Sequence, residues 1–307
     1  MKHGISVICW IYNEEKRIRR TIQSFYCYDE IIVVDKSSTD RGPRIAEEMG
    51  VKVVKIPYTE EFKYVFDAAV SNATQDWLFF VTSSDIIHPE LTRRLYKRIE
   101  NEKFNQKYNN IKYPCVHHVL GISGKYTAID WGYRNWLGRR DVTRGQSSVH
   151  NEIYYKNSKT YTFKADDVIA QHHLGYPSLD MAYERSLRYS KEELKKDISY
   201  KSCFKNIYMD VLTAMVKQQV WRKGWEGLAS LFWMLTYHMM IFLRLFEKNM
   251  GDIEESYELL ADQLSMERRT FRNKSYESVY KASIRKNGAE EKPAYSEGAL
   301  KFKEGAD

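Results

Sequence analysis

The order of apolar and polar positions divides the chain into a strand-and-helix half followed by a helical half. Ile5 to Tyr12, Ile31 to Val34, Val51 to Ile56 and Trp77 to Val81 are short apolar runs rich in β-branched and aromatic residues. That is the pattern of strands buried in a parallel sheet. Helical spacing falls between them, from Ile18 to Phe25 and from about Arg44 to Met49, and Pro89 with Glu90 opens a further helix to about Lys103. Alternation of this kind predicts an α/β fold with a doubly wound, mostly parallel sheet. Between Ile111 and His173 the pattern changes to short aromatic strands with Gly turns, among them Tyr113 to Val119 and Val149 to Tyr155. Beyond Pro177 the periodicity is helical: Leu179 to Lys196, Phe204 to Val220, Gly224 to Lys248, Ile253 to Phe271 and Tyr276 to Arg285. The expected division is a domain over 1–176, a helical region over 177–285 and a polar tail over 286–307 with little to bury.

Composition narrows this reading. A net charge of +7 favours anionic partners such as phosphates or anionic lipids. No nucleic-acid-binding module or concentrated basic helix accompanies that charge, so nucleic acid is set aside as a partner. Tyr is abundant, at 23 residues, and suits both the stacking of flat ligands and membrane interfaces. Cys9, Cys27, Cys115 and Cys203 are too far apart for a zinc site and read as reduced thiols of a cytoplasmic protein. The N-terminus runs straight into a strand, without the pattern of a signal peptide.

The most informative chemistry lies at the ends of the predicted strands. Ile31-Ile-Val-Val-Asp35 ends on a carboxylate and continues as Lys-Ser-Ser-Thr-Asp40, and ligands of open α/β sheets bind at such strand ends. The plainer reading is that Asp35 caps the next helix. Upstream, the first strand leads into Asn13-Glu14-Glu15, which also suits a helix N-terminus. Downstream, Asp76-Trp77 leads into Thr82-Ser83-Ser84-Asp85.

In order and spacing these motifs resemble the nucleotide-binding half of family 2 glycosyltransferases, which have the GT-A fold. The likeness is greatest to the branch of bacterial lipopolysaccharide-core β-glucosyltransferases, over about residues 4–95 and more loosely to about 190. The resemblance implies that Asp35 hydrogen-bonds a uracil ring and that Asn13 and Glu14 line the nucleotide pocket. It places Asp40 in a flanking loop and implies a UDP-sugar as donor. The Asp-x-Asp box of that family falls on Thr82 and Ser84, so both carboxylates are replaced, and Asp85 matches an extra acid after the pair. A divalent cation, Mg²⁺ or Mn²⁺, would then rest on Asp85 with weak help from serine hydroxyls such as Ser84, which puts metal use in doubt. Lys63, Arg139, Arg140 and Arg144 are alternative sources of positive charge, and Phe66-Asp67 stands where the family commonly has Arg-Asn.

Two later clusters could complete a site. In Gly145-Gln-Ser-Ser-Val-His150-Asn-Glu152-Ile, a strand would set His150 and Glu152 on one face. The inverting mechanism that the resemblance implies wants a carboxylate base, so Glu152 is the first candidate and His150 the second. A solvated edge Glu and a structural His are the plainer reading. In Gln171-His172-His173-Leu-Gly175-Tyr176, adjacent histidines on a strand face opposite ways, so at most one of them would contact metal or phosphate.

Gly227 to Leu243 contains no Asp, Glu, Lys or Arg, and aromatic and basic residues flank it: Trp221, Arg222, Lys223 and Trp225 before, Arg244 and Lys248 after. This suits a helix lying in the headgroup plane of an anionic leaflet, with a buried core or dimer helix and a true span as alternatives. The sequence therefore leads to an inverting hexosyltransferase. It would act on a glycan or lipid-linked acceptor in cell-surface polysaccharide biosynthesis, peripheral on the cytoplasmic face of the membrane. The rival reading is a GT-A scaffold that binds a nucleotide sugar or a partner protein without turnover. Sugar, acceptor, linkage and oligomeric state are left open by the sequence.

Overall fold

The computed structural model describes residues 3–59, 61–129, 131–143, 153, 155–194 and 198–272. The first elements are β1 (Ile5–Ile11), α1 (Ile18–Ser24), β2 (Glu30–Asp35), α2 (Gly42–Glu48), β3 (Lys52–Lys55), α3 (Phe62–Asn72) and β4 (Trp77–Thr82). A short β5 (Asp85–Ile87), α4 (Pro89–Ile99), α5 (Glu102–Lys107), β6 (Asn110–Val119), β7 (Trp131–Arg139), β8 (Thr160–Thr162) and β9 (Gln171–Tyr176) complete the sheet region. Then come α6 (Leu179–Glu193), α7 (Tyr200–Leu212), α8 (Gly224–Met250) and α9 (Ile253–Arg272).

Among the described residues the strands form one mixed sheet in the order β3-β2-β1-β4-β7-β6-β9-β5, with β8 paired to β6. The β1–β2, β2–β3 and β1–β4 pairs are parallel, as the apolar runs predict, and β7 joins antiparallel to β4. The alternation along β1 explains why helices cover both faces. Ile5, Val7, Cys9 and Ile11 pack with Ile18 and Ile22 of α1, with Phe25 just after it and with Leu91 and Leu95 of α4, whereas Ile8 packs with Val65 and Ala69 of α3. Full burial of side chains such as Trp77, Phe79 and Phe80 contributes about 1.5–3 kcal/mol each. Gly138 of β7 is needed for its lack of a side chain, because a Cβ there would lie 2.1 Å from the Tyr155 ring.

The single helix predicted from Pro89 to Lys103 is two helices. Asn101 breaks it, and its side-chain oxygen accepts from the Phe104 N–H at 3.1 Å to start α5. The predicted strand Val149 to Tyr155 falls mostly outside the described residues, as do the predicted helix Tyr276 to Arg285 and the polar tail; Tyr155 itself makes an isolated bridge to Thr143. The chain forms two compact units, 1–188 with 206–237, and 189–205 with 238–307, so the helices beyond Pro177 are shared between them. In the first unit, the start of α8 is fixed by the Ser230 hydroxyl, which accepts from the Ala128 N–H at 2.8 Å, and by Lys223 Nζ donating to the Ser123 carbonyl at 2.6 Å. In the second, Tyr200 and Phe204 pack on Phe242, with ring centroids 5.4 and 5.5 Å apart.

Candidate active site

The carboxyl ends of β1, β2 and β4 bring Asn13, Asp35 and the Thr82–Asp85 segment to one edge of the sheet. Ile11 pairs with Asp35 and Trp10 with Thr82, so Asp35 and Thr82 lie on either side of the end of β1. Two strand spacings separate them, about 10 Å. Asp35 is only 2% exposed, and its Oδ1 accepts from the Ser38 N–H at 2.9 Å. That bond shapes the following turn, where Ser37 has φ 60°. Asp35 does not cap α2, which begins seven residues later, and its Oδ2 takes no hydrogen bond from another described residue.

Asn13 does not cap α1, which begins five residues later. Its φ of 55° lies in the left-handed region that Asn tolerates better than most residues. Its Oδ1 accepts from the Thr39 N–H at 2.8 Å, and its own N–H donates to Ser38 Oγ at 3.0 Å. Asp40 completes the tie, accepting from the Glu15 N–H at 2.8 Å and the Gly42 N–H at 2.9 Å. Both residues therefore lock the β1 loop to the β2 loop. Glu14 is engaged as well: its Oε2 accepts from Arg17 Nε at 2.6 Å, and Arg17 Nη1 reaches Ser84 Oγ at 3.2 Å.

An aromatic pair stands beside Asp35 that the sequence reading did not single out. Tyr12 follows β1 and Tyr58 follows the segment whose Ile56 N–H bonds the Asp35 carbonyl at 2.8 Å. Their half-exposed rings lie 4.6 Å apart. Each is flanked by strand ends, and that position was the available signal.

Asp85 behaves differently from the expected lone metal ligand. Its carboxylate has no exposed surface. Oδ1 accepts from Arg134 Nη1 at 2.9 Å and lies 2.8 Å from His173 Nδ1, while Oδ2 accepts from the Thr82 N–H at 2.6 Å and hydroxyl at 2.9 Å. Burial pushes this carboxyl up, but Arg134, His173 and the Thr82 N–H outweigh burial and hold it well below the usual carboxylate range. Burial likewise works against the Arg134 charge, and Asp85 more than offsets it, so the guanidinium stays protonated. With both oxygens engaged and a guanidinium alongside, Asp85 lacks the open oxygen position that the expected divalent cation would need. Among the described residues no group of three or more His, Cys, Asp or Glu is placed to hold a metal ion.

Arg134 is the residue that sequence reasoning missed most clearly. It pairs with Tyr113 of β6 beside an irregularity in the register of β6 and β7, and its guanidinium lies 4.2 Å from the Trp136 ring. Trp136 in turn lies 5.6 Å from Trp10 of β1. Of the other cations considered, Arg139 pairs with Asp141, and Arg140 donates to the Ala73 carbonyl. Both belong to a cleft lined also by His3, Asp76 and Glu102, beside the start of β4 and away from Asp35. Arg144, His150 and Glu152 lie outside the described residues.

As adjacent strand residues should, the two late histidines face opposite ways. His173 meets Asp85 and stacks near His117 at 5.0 Å, whereas His172 Nδ1 lies 3.1 Å from His118 Nε2. Burial, then His173 and Arg134, push the His117 imidazole down to about 3. Burial and then His172 push His118 down to about 4.

A mixed sheet whose first four strands in the order β3-β2-β1-β4 are parallel, with helices on both faces, defines an α/β protein, and ligands of such sheets bind at the strand ends where Asp35 and the turn after β4 lie. Residues 6–145 match the family model described as Glycosyl transferase family 2. That segment takes in Asn13, Asp35, Asp85 and Arg134. Over 133 residues the chain is 32% identical to Glycosyltransferase GlyA of Streptococcus pneumoniae serotype 4, covering 39% of this chain and 19% of that protein. It is 27% identical over 206 residues to an uncharacterized glycosyltransferase of Rickettsia bellii, covering 62% of this chain and 66% of that one. The chain therefore spans less than two thirds of either relative. Among solved structures, glucosyl-3-phosphoglycerate synthase from Mycobacterium tuberculosis, in complex with Mn²⁺, UDP and glucosyl-3-phosphoglycerate, matches at 23% identity. Its TM-score is 0.32 over 38% of this chain and 44% of that one.

Proposed function

We propose that this chain transfers a hexose from a UDP-sugar to a glycan or lipid-linked acceptor, with inversion, in cell-surface polysaccharide biosynthesis. The observation that carries the reading is Asp35, buried at the end of β2 within the matched segment and about 10 Å from the Thr82–Asp85 turn. That interval suits a nucleoside diphosphate, its base edge donating to Asp35 beside Tyr12 and Tyr58 and its phosphates near the turn. In the reaction, the bond from the sugar C1 to the β-phosphate oxygen breaks and its electron pair stays on that oxygen, releasing UDP. The acceptor oxygen bonds to C1 from the opposite face, and its proton passes to a base, for which Glu152 and then His150 are proposed. The branch of lipopolysaccharide-core β-glucosyltransferases is the finer assignment that the motif spacing favours.

Membrane attachment at the cytoplasmic face belongs to the same proposal. The helical stretch Val220–Met250 is long and apolar enough to cross a membrane by length and composition, with a mean hydropathy of 1.4 in its most apolar window. Trp225, Phe232 and Met239 recur every seven residues along α8, and Trp225 is 86% exposed. Such a stripe suits a helix lying in the interface. Lys223 is engaged on Ser123, so apolar contact carries more of this attachment than the flanking charge does.

The rival reading, a scaffold that binds nucleotide sugar without turnover, is favoured by one observation: the two carboxylates expected of the box are Thr82 and Ser84. Incubation with a panel of UDP-sugars, followed by assay of bound and released UDP, separates the two. Release of UDP supports transfer, binding without release on any acceptor supports the scaffold, and no binding of any UDP-sugar overturns the transfer reading together with the assigned pocket.

A further inference from the structure

Resting on the nucleotide reading above, we infer that Arg134 supplies the positive charge for the diphosphate and that Asp85 positions this guanidinium instead of holding a divalent cation. Three features of the turn after β4 lead there. Asp85 offers no vacant position to a cation, because Arg134, His173 and two donors of Thr82 engage its oxygens. A cation at that carboxylate would also stand beside a guanidinium 2.9 Å from the same oxygen, and like charges repel at such range.

The second feature is the guanidinium itself. Only Nη1 is used by Asp85, and Nε and Nη2 form no hydrogen bond with another described residue. Its side chain keeps 10% exposure, and its guanidinium carbon lies 4.2 Å from the centre of the Trp136 ring. Planar N–H donors held in this way suit phosphate oxygens. The third feature is the turn, which is pinned from three sides. Thr21 Oγ1 of α1 donates to the Ser83 carbonyl at 2.7 Å, Leu174 N–H of β9 donates to the Ser84 carbonyl at 2.7 Å, and Arg17 reaches Ser84 Oγ. Arg17 and Arg134 thus bracket the turn on either side. When the bond from C1 to the β-phosphate oxygen breaks, the electron pair stays on UDP, and the Arg134 donors stabilise the added charge in place of a metal.

The test is calorimetric titration of the full chain with UDP, in EDTA and again with Mn²⁺, beside direct titration of Mn²⁺ by electron paramagnetic resonance. The expected result is UDP affinity equal within about twofold in both buffers. Asp85→Asn, which keeps Arg134 but loosens its hold, should lower UDP affinity by less than about tenfold and by the same factor in both buffers. The charge-free pair Asp85→Asn with Arg134→Met, its folding checked by thermal melting, should lose about tenfold to a hundredfold in affinity. UDP binding that rises about tenfold or more with Mn²⁺, and loses that rise in Asp85→Asn, would overturn the inference while leaving the nucleotide reading intact. Unchanged affinity in the double variant would remove Arg134 from the site. No UDP binding in either buffer would instead overturn the nucleotide reading, and this inference with it.

Discussion

Asp85 Oδ1 and Arg134 Nη1 lie 2.9 Å apart, with the carboxylate wholly buried and the guanidinium over the Trp136 ring. One residue opens β5 and the other sits on β7, so the pair fastens the turn after β4 to a strand that is distant in sequence. Removing one partner leaves a buried charge without its counter-charge, whereas removing both does not. Arg134→Met is expected to destabilise the fold by about 3–5 kcal/mol, and adding Asp85→Asn should recover most of that loss. Urea denaturation of the two variants measures the coupling; equal losses in both would show that the pair is not coupled.

Asn13 carries two separate demands, a left-handed backbone and the side-chain bond to the Thr39 N–H of the β2 loop. Asn13→Gly meets only the first, at a cost of about 1 kcal/mol for the lost bond, and Asn13→Ala meets neither. UDP affinity should fall in the order wild type, Gly, Ala. An Ala variant that binds as well as the Gly variant would show that the backbone conformation does not matter to the site.

His117 and His118 give the protein an acid-sensitive element. Both have folded pKa values below the ordinary 6.5, at about 3 and about 4. The unfolded chain therefore takes up protons first, and stability is lost as pH falls from about 6.5 toward those folded values. Asp85 works in its own window: its folded pKa is depressed, so its contribution is full above the unfolded value near 3.8 and is lost only in stronger acid. Between pH 6.5 and 4 the melting temperature should fall, and His117→Asn should flatten that slope. An equally steep slope in the variant would place the acid sensitivity elsewhere.

The first half of the sheet was legible because its cause is local. β1 was expected over Ile5–Tyr12 and is found over Ile5–Ile11, and β2 and β4 likewise fall within one residue of the apolar runs that predicted them. Opposite facing of His172 and His173 was legible for the same reason, the two-residue period of a strand. Arg134 was not legible. Its role depends on β7 pairing antiparallel with β4 and thereby meeting Asp85, and no periodicity within Trp131–Arg139 reports which strand lies alongside. The division of the helix at Asn101 was visible in principle, since Asn followed by Glu is a good helix start. The continuing apolar spacing of Leu95, Ile99 and Phe104 concealed it.

Exposed aromatic residues on α8 give a direct test of membrane attachment. Trp225→Gln with Phe232→Gln should reduce co-sedimentation with anionic liposomes several-fold, about 1.5–3 kcal/mol of apolar burial being lost for each fully inserted side chain. Since Lys223 is engaged internally, raising the salt should weaken sedimentation less than the substitutions do. Unchanged sedimentation of the double variant would remove this face from the membrane.

The central claim is that Asp35 recognises the base of a nucleotide. Calorimetric titration of UDP into wild-type protein and into Asp35→Ala tests it most directly. The account predicts binding to the wild type and an affinity lower by about tenfold or more in the variant, through loss of the acceptor at the end of β2. Equal affinity for UDP in both proteins would contradict it.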